Sequence, residues 1–229
     1  LSGLLRALST VPGDYWIRMF YCYPNSFTDD VLEVMASDPR FCRYLDMPFQ
    51  HISDPVLKKM NRKITRKEIE ATMARVRSQL PDVAWRTTFI VGFPTETDQD
   101  FEELVEFVSE GHFQHLGIFL YSDEDNIRSS KFGDPIPLSL KEERKNRLME
   151  IQQKISREHH QKMVGSLQQV LVGGFSSETD LLLEGRNQYQ GPEVDGVVYI
   201  NEGNATSAGF HQVEITEAHE YDLVGKILN

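Results

Sequence analysis

Only two cysteines occur among 229 residues, Cys22 and Cys42, with no CxxC pair and no histidine at ligand spacing beside them. That argues against a disulfide framework and a zinc site, and reads as two reduced, mostly buried thiols in a cytoplasmic protein. No apolar run approaches the roughly 20 residues that span a bilayer, so no membrane partner is expected. Leu1 to Leu8 is too short and too quickly polar for a signal peptide, and the chain does not begin with Met, as expected of a piece of a longer protein. Basic residues are outnumbered, 24 against 35, for a net charge of -11 at pH 7. Such a surface repels phosphate backbones and attracts a basic protein. P-loop, GxSxG and HExxH patterns are also missing.

What is present is an alternation of strand and helix patterns. Trp16 to Tyr23, Tyr44 to Met47, Ala84 to Val91 and Leu116 to Leu120 read as short strands. Between them lie helical stretches: Thr28 to Ala36, one starting at Ser53-Asp54-Pro55, one opened by the capping box Thr65-Arg66-Lys67-Glu68, and Thr97 to Glu110. The strands are nearly all apolar, as expected when both faces are covered. Parallel strands joined by helices are the economical solution. Four β/α units make half of an eight-stranded barrel or two-thirds of a six-unit one, with a sheet incomplete at its N-terminal edge. A box at Ser139-Leu140-Lys141-Glu142 opens a long helix to Gln161. Five short period-two strands follow (Leu167–Val172, Leu181–Gly185, Gly196–Ile200, Gln212–Thr216, Tyr221–Ile227), which read as a small antiparallel barrel. The expected division is 1–161 and 162–229.

Ligands of such sheets bind at the C-terminal strand ends. Gly92 allows close approach to the backbone, Pro94 fixes the exit, and Thr95 or Thr97 caps the next helix. An ordinary βα turn would use the same residues. Gln50 and His51 follow the second strand, although histidines with purely structural roles are commoner than catalytic ones. Arg86 and Thr88 interrupt an apolar strand. An arginine there needs a partner, either a ligand carboxylate or a neighbouring acidic side chain.

Tyr44-Leu45-Asp46-Met47-Pro48-Phe49-Gln50-His51, Leu57-Lys58-Lys59-Met60-Asn61-Arg62 and Arg86-Thr87-Thr88-Phe89-Ile90-Val91-Gly92-Phe93-Pro94 resemble, in order and spacing, the radical S-adenosylmethionine methylthiotransferases. Asp195-Gly196-Val197-Val198-Tyr199 and Glu220-Tyr221-Asp222-Leu223-Val224-Gly225 extend the likeness into a TRAM-like C-terminal barrel. His51 favours the ribosomal-protein branch, whose members read PxQH here, over the tRNA-modifying branch, which typically reads PVQSGS. From Lys162 to Asn229 there are three basic and ten acidic residues, and three minus ten is -7. That opposes direct RNA binding and suits a basic ribosomal protein.

The resemblance implies a partial TIM-like barrel, a truncated radical SAM domain. It implies a methylthio group placed on the β-carbon of an aspartate in small ribosomal subunit protein twelve. S-adenosylmethionine and two 4Fe-4S clusters are the cofactors it implies for the intact enzyme. The family's CxxxCxxC loop and its N-terminal domain are absent, so no cofactor is expected on this fragment, which should be inactive alone. The residues it places on the cofactor and substrate side are Gln50, His51, Arg86, Thr88, Gly92, Pro94, Glu96 and Tyr121. Two departures are Thr95, where the family usually has Gly, and Asn126-Ile127-Arg128, where it has a Gly-Thr pair. The competing expectations are a tRNA methylthiotransferase and a non-catalytic module that docks the ribosomal protein. The open edge at Trp16 to Tyr23 invites self-association.

Overall fold

A computed structural model describes residues 1–24, 27–124, 129–203, 205 and 208–228. Helix α1 (Ser2–Ser9) leads into β1 (Ile17–Met19), α2 (Asp29–Ser37), β2 (Phe41–Asp46), α3 (Asp54–Lys59), α4 (Arg66–Gln79), β3 (Ala84–Val91), α5 (Asp98–Ser109) and β4 (His115–Leu120). The four strands are parallel and lie in chain order, β1-β2-β3-β4. This is an arc of barrel with its helices on one side. Strand β1 pairs only with β2 among the described residues, the condition on which the expected self-association rests. It is shorter than Trp16 to Tyr23 because its register slips between Ile17 and Met19 and the chain turns left-handed at Tyr21 (φ 54°).

The sheet buries its two faces differently. Leu45, Trp85, Phe89 and Val91 pack outward against Leu32, Met35, Ile69, Met73 and Leu104 of the helices. The inner face carries Tyr44 and Cys42, packed with Phe20 and Tyr189, and the charged pair Asp46 and Arg86. The expectation of two apolar faces therefore holds for the helix side only.

Helix α6 (Leu138–Gln161) crosses beside β4 and α5 and hands the chain to β5 (Leu167–Phe175), β6 (Leu183–Asn187), β7 (Val198–Glu202), β8 (Gly209–Ala218) and β9 (Leu223–Ile227). These close as β5-β6-β7-β9-β8 around Val170, Val172, Val198, Ile200, Val213, Ile215 and Leu223. Four pairings are antiparallel; β7 and β9 run parallel, which two-residue hairpins cannot produce. So small a barrel needs glycine where strands cross its interior: a Cβ on Gly225 would stand 2.5 Å from Val213 Cγ1.

Helix starts were read correctly where a side chain closes the box. Thr65 with Glu68, and Thr97 with Asp100, exchange both bonds. Ser139 does not cap α6. That helix starts two residues earlier, behind Pro137, whose fixed φ suits the entry without a side-chain bond. Ser53 stands at the N-cap of α3 without a side-chain cap bond, and its hydroxyl donates to Asp100.

Candidate active site

The C-terminal strand ends surround a cleft of about 470 Å³ lined by Gln50, Arg62, Ile90, Phe93 and Tyr121. Gln50 sits past the end of β2 in the left-handed region (φ 74°), where its backbone pairs again with β3. Its N–H donates to Thr88 O and its carbonyl accepts from Ile90 N–H, both at 2.9 Å. Both ends of the residue are thereby fixed. Tyr121 follows β4, its N–H donating to Val91 O, and its ring meets Phe93 edge-on at 5.3 Å. Its hydroxyl is buried, with no hydrogen-bond partner among the described residues. Lys141 of α6 donates to Tyr121 O at 2.8 Å, pairs with Asp134 and lies 5.4 Å over the tyrosine ring.

Arg62 reaches this cleft because of how α3 ends. Asn61 is left-handed (φ 60°), Asn61 N–H donates to Lys58 O and Arg62 N–H to Leu57 O. These are the two bonds of a Schellman motif, with asparagine in the place glycine usually takes. The guanidinium is half-buried, and burial pushes its pKa below the ordinary arginine value.

Beneath the cleft lies a buried ionic layer. Glu96 accepts from Gly92 N–H at 2.9 Å and from Arg144 Nη1 at 2.7 Å, and Arg144 Nη2 donates to Asp98. His51 is fully buried; its Nδ1 accepts the Ser53 N–H at 3.0 Å, which leaves the ring proton on Nε2, 3.6 Å from Glu96 Oε2. Gly92 is left-handed (φ 74°), and a Cβ there would stand 2.3 Å from Lys141 Cγ, so the close approach its lack of a side chain permits is to Lys141. Pro94 is half-buried in the same turn.

A third group faces the second barrel. Arg86 Nη1 donates to Asp46 Oδ1 at 3.0 Å, and its Nε is 3.4 Å from Asp195 Oδ1, from the loop before β7. Burial opposes its charge, but the Asp46 hydrogen bond and the nearby carboxylates raise the guanidinium's pKa. Tyr44 donates to Asp195 Oδ2 at 2.7 Å; burial and that carboxylate push the phenol far up. Thr88 is buried on the same face, its Oγ1 near Gly117.

Of the eight residues singled out, Gln50 and Tyr121 therefore line the cleft, His51, Gly92 and Glu96 form the layer under it, Pro94 shapes the turn, and Arg86 and Thr88 lie on the inner face. The acidic partners of Arg86 are protein side chains. Asn126-Ile127-Arg128 lie outside the described residues. Arg62, Lys141, Arg144 and Asp195 were not identified as site residues. Only Asn61-Arg62, an asparagine just past a short helix, carried a local signal.

The two thiols do not fit an iron–sulfur cluster. Burial pushes Cys22 up to about 12 and Cys42 up to about 11, which keeps both protonated, and no group of three ligating side chains converges among the described residues. The cleft does fit a nucleoside-bearing ligand: apolar Ile90, Phe93 and Tyr121 line it together with the polar side chains of Gln50 and Arg62.

Residues 4–108 match the Radical SAM superfamily and residues 164–228 the TRAM domain. Over its whole length the chain is 42% identical to the ribosomal protein uS12 methylthiotransferase RimO of Geobacter sulfurreducens, covering 51% of that protein. It is 48% identical over 98% of its length to the RimO of Bdellovibrio bacteriovorus, covering 49% of that protein. The chain spans about half the length of the curated relatives it matches. In fold it is similar to coproporphyrinogen III oxidase (HemN) from Escherichia coli, with a TM-score of 0.52, 15% identity, and coverage of 82% of this chain and 50% of that one.

Proposed function

From a chain that joins a radical SAM domain to a TRAM domain and is homologous along its length to RimO proteins, we propose the following function. It is the cofactor- and substrate-facing part of a methylthiotransferase acting on the β-carbon of an aspartate in ribosomal protein uS12. The observation that carries this reading is the identity of 42% to 48% with uS12 methylthiotransferases across both domains. The charge of the second barrel agrees with it: a count of -7 between Lys162 and Asn229 suits a basic protein and opposes RNA.

In this reading the residues divide by role. Ile90, Phe93 and Tyr121 wall the cleft, while Gln50 and Arg62 give its polar contacts. Lys141 holds Tyr121, and the layer of His51, Glu96 and Arg144 holds the two strand ends at fixed separation. Arg86 and Thr88 set the inner face behind them. S-adenosylmethionine, when bound, supplies radical-generating and methyl-donating chemistry. Since neither cysteine suits a cluster, the 229 residues alone are expected not to cleave it.

Mass spectrometry of uS12 tests the reading in cells whose own modifying enzyme has been deleted and replaced by the longer protein containing this sequence. The expected result is an aspartate carrying a methylthio group, reduced at least about tenfold by Gln50→Ala, as for loss of an orienting contact worth about 1.4 kcal/mol. Unmodified uS12 alongside methylthiolated tRNA would overturn it.

A further inference from the structure

The chain has 35 acidic residues, yet the described residues lining the cleft include two cations, Lys59 and Arg62, and no carboxylate. Arg62 has no side-chain hydrogen bond or ion pair among the described residues, although it is half-buried and desolvated. The other buried or half-buried arginines all have hydrogen-bond partners: Arg86 and Arg144 in carboxylates, Arg18 in the Asn187 carbonyl and Arg77 in the His112 carbonyl. A desolvated guanidinium without an anion is costly, and its planar fork matches a carboxylate.

We propose that Arg62, with the Gln50 side chain that lines the same cleft, forms a carboxylate subsite that selects an acidic side chain within a basic protein substrate. The inference rests on the protein-modifying function proposed above. A surface of net charge -11 draws in a basic partner but disfavours any single aspartate on it. A local reversal of sign at the cleft supplies what that general field cannot: preference for the one acidic residue presented there. The Schellman turn at Asn61 makes the reversal rigid, since the backbone of Arg62 is bonded to Leu57.

The test uses the 229-residue chain and two labelled peptides of lysine and glycine, identical except for one central aspartate or asparagine, read by fluorescence anisotropy. The aspartate peptide is expected to bind about tenfold more tightly, as for one charge-assisted hydrogen-bonded pair. Arg62→Gln should abolish the preference, and Arg62→Lys, which keeps charge without the fork, should restore part of it, with circular dichroism confirming each fold. Equal binding of the two peptides to the unmodified chain overturns the subsite while leaving the protein-modifying reading standing. Failure of both peptides to bind counts against both. If Arg62→Gln weakens S-adenosylhomocysteine and leaves the aspartate preference intact, the arginine serves the cofactor's carboxylate and the proposal falls.

Discussion

Glu96 is the residue on which three elements meet. It takes the Gly92 N–H at the end of β3, the Arg144 guanidinium of α6 and the approach of His51 behind β2. Its side chain is fully buried, so each contact is made without competition from water. Replacing it by glutamine keeps the shape but leaves Arg144 to the exposed Asp98 and puts an amide against His51 and Gly92. Breaking one side of a buried pair costs roughly 3 kcal/mol. Glu96→Gln should therefore lower the unfolding free energy of the whole chain by that amount, read as a lower urea midpoint at unchanged slope; an unchanged midpoint would show that Asp98 alone satisfies Arg144. The motif containing Glu96 was visible in the sequence as a strand end, but its direction was not. Gly-Phe-Pro-Thr-Glu reads equally as a ligand loop or as an anchor, and only Arg144, 48 positions on, decides that the glutamate points into the protein.

Among the elements, α5 is placed through an ionised side chain, Asp100. Thr97 and Asp100 close its capping box, and Asp100 also takes the Ser53 hydroxyl from the loop before α3. Burial opposes the ionisation of Asp100, but the hydrogen bonds from Ser53 and Thr97 outweigh it and hold the carboxyl below its ordinary value. A carboxyl depressed in the folded state stabilises fully above its unfolded pKa and loses that contribution as pH falls through its folded pKa. Asp100→Asn should thus cost about 1 kcal/mol at neutral pH, the usual worth of a cap, and flatten the acid limb of the stability curve. Denaturation series from neutral to acid pH check both; parallel curves for the two proteins would rule the linkage out. This element was legible to within a residue because its signals are local: a threonine and an acid three apart, then an apolar stripe. Strand β3 was legible for the same reason, its eight residues matching the apolar run from Ala84 to Val91. Strand β1 and the start of α6 were not. The first depends on a neighbour's register, and the second on a proline that needs no side-chain partner.

At the scale of the molecule the two sheets are joined through Asp195. This carboxylate, nearly fully buried, belongs to the small barrel yet receives Tyr44 from β2, stands 3.4 Å from Arg86 of β3 and 3.5 Å from His115 of β4, and accepts the Gly191 N–H of its own loop. Arg18 of β1 adds a bond to Asn187 O, and Trp16 meets Phe210 edge-on at 4.8 Å. All four strands of the first sheet therefore touch the second domain, and the inner face is polar because it is an interface. No local pattern announces this. Tyr44 and Asp195 are 151 positions apart, and each taken alone is an ordinary surface residue type. Removing the carboxylate with Asp195→Ala leaves the Tyr44 hydroxyl and the Arg86 Nε buried without their partner, a loss of roughly 3–5 kcal/mol concentrated at the junction. The wild-type chain is expected to unfold in one calorimetric transition, with the barrel held to the sheet. In the variant the barrel should unfold first, giving two transitions and new protease cleavage between α6 and β5, where the linker is then exposed. A single transition that merely shifts would mean that the apolar contacts around Trp16 and Phe210 suffice to keep the domains docked. Asp195 would then orient Arg86 without joining the two halves.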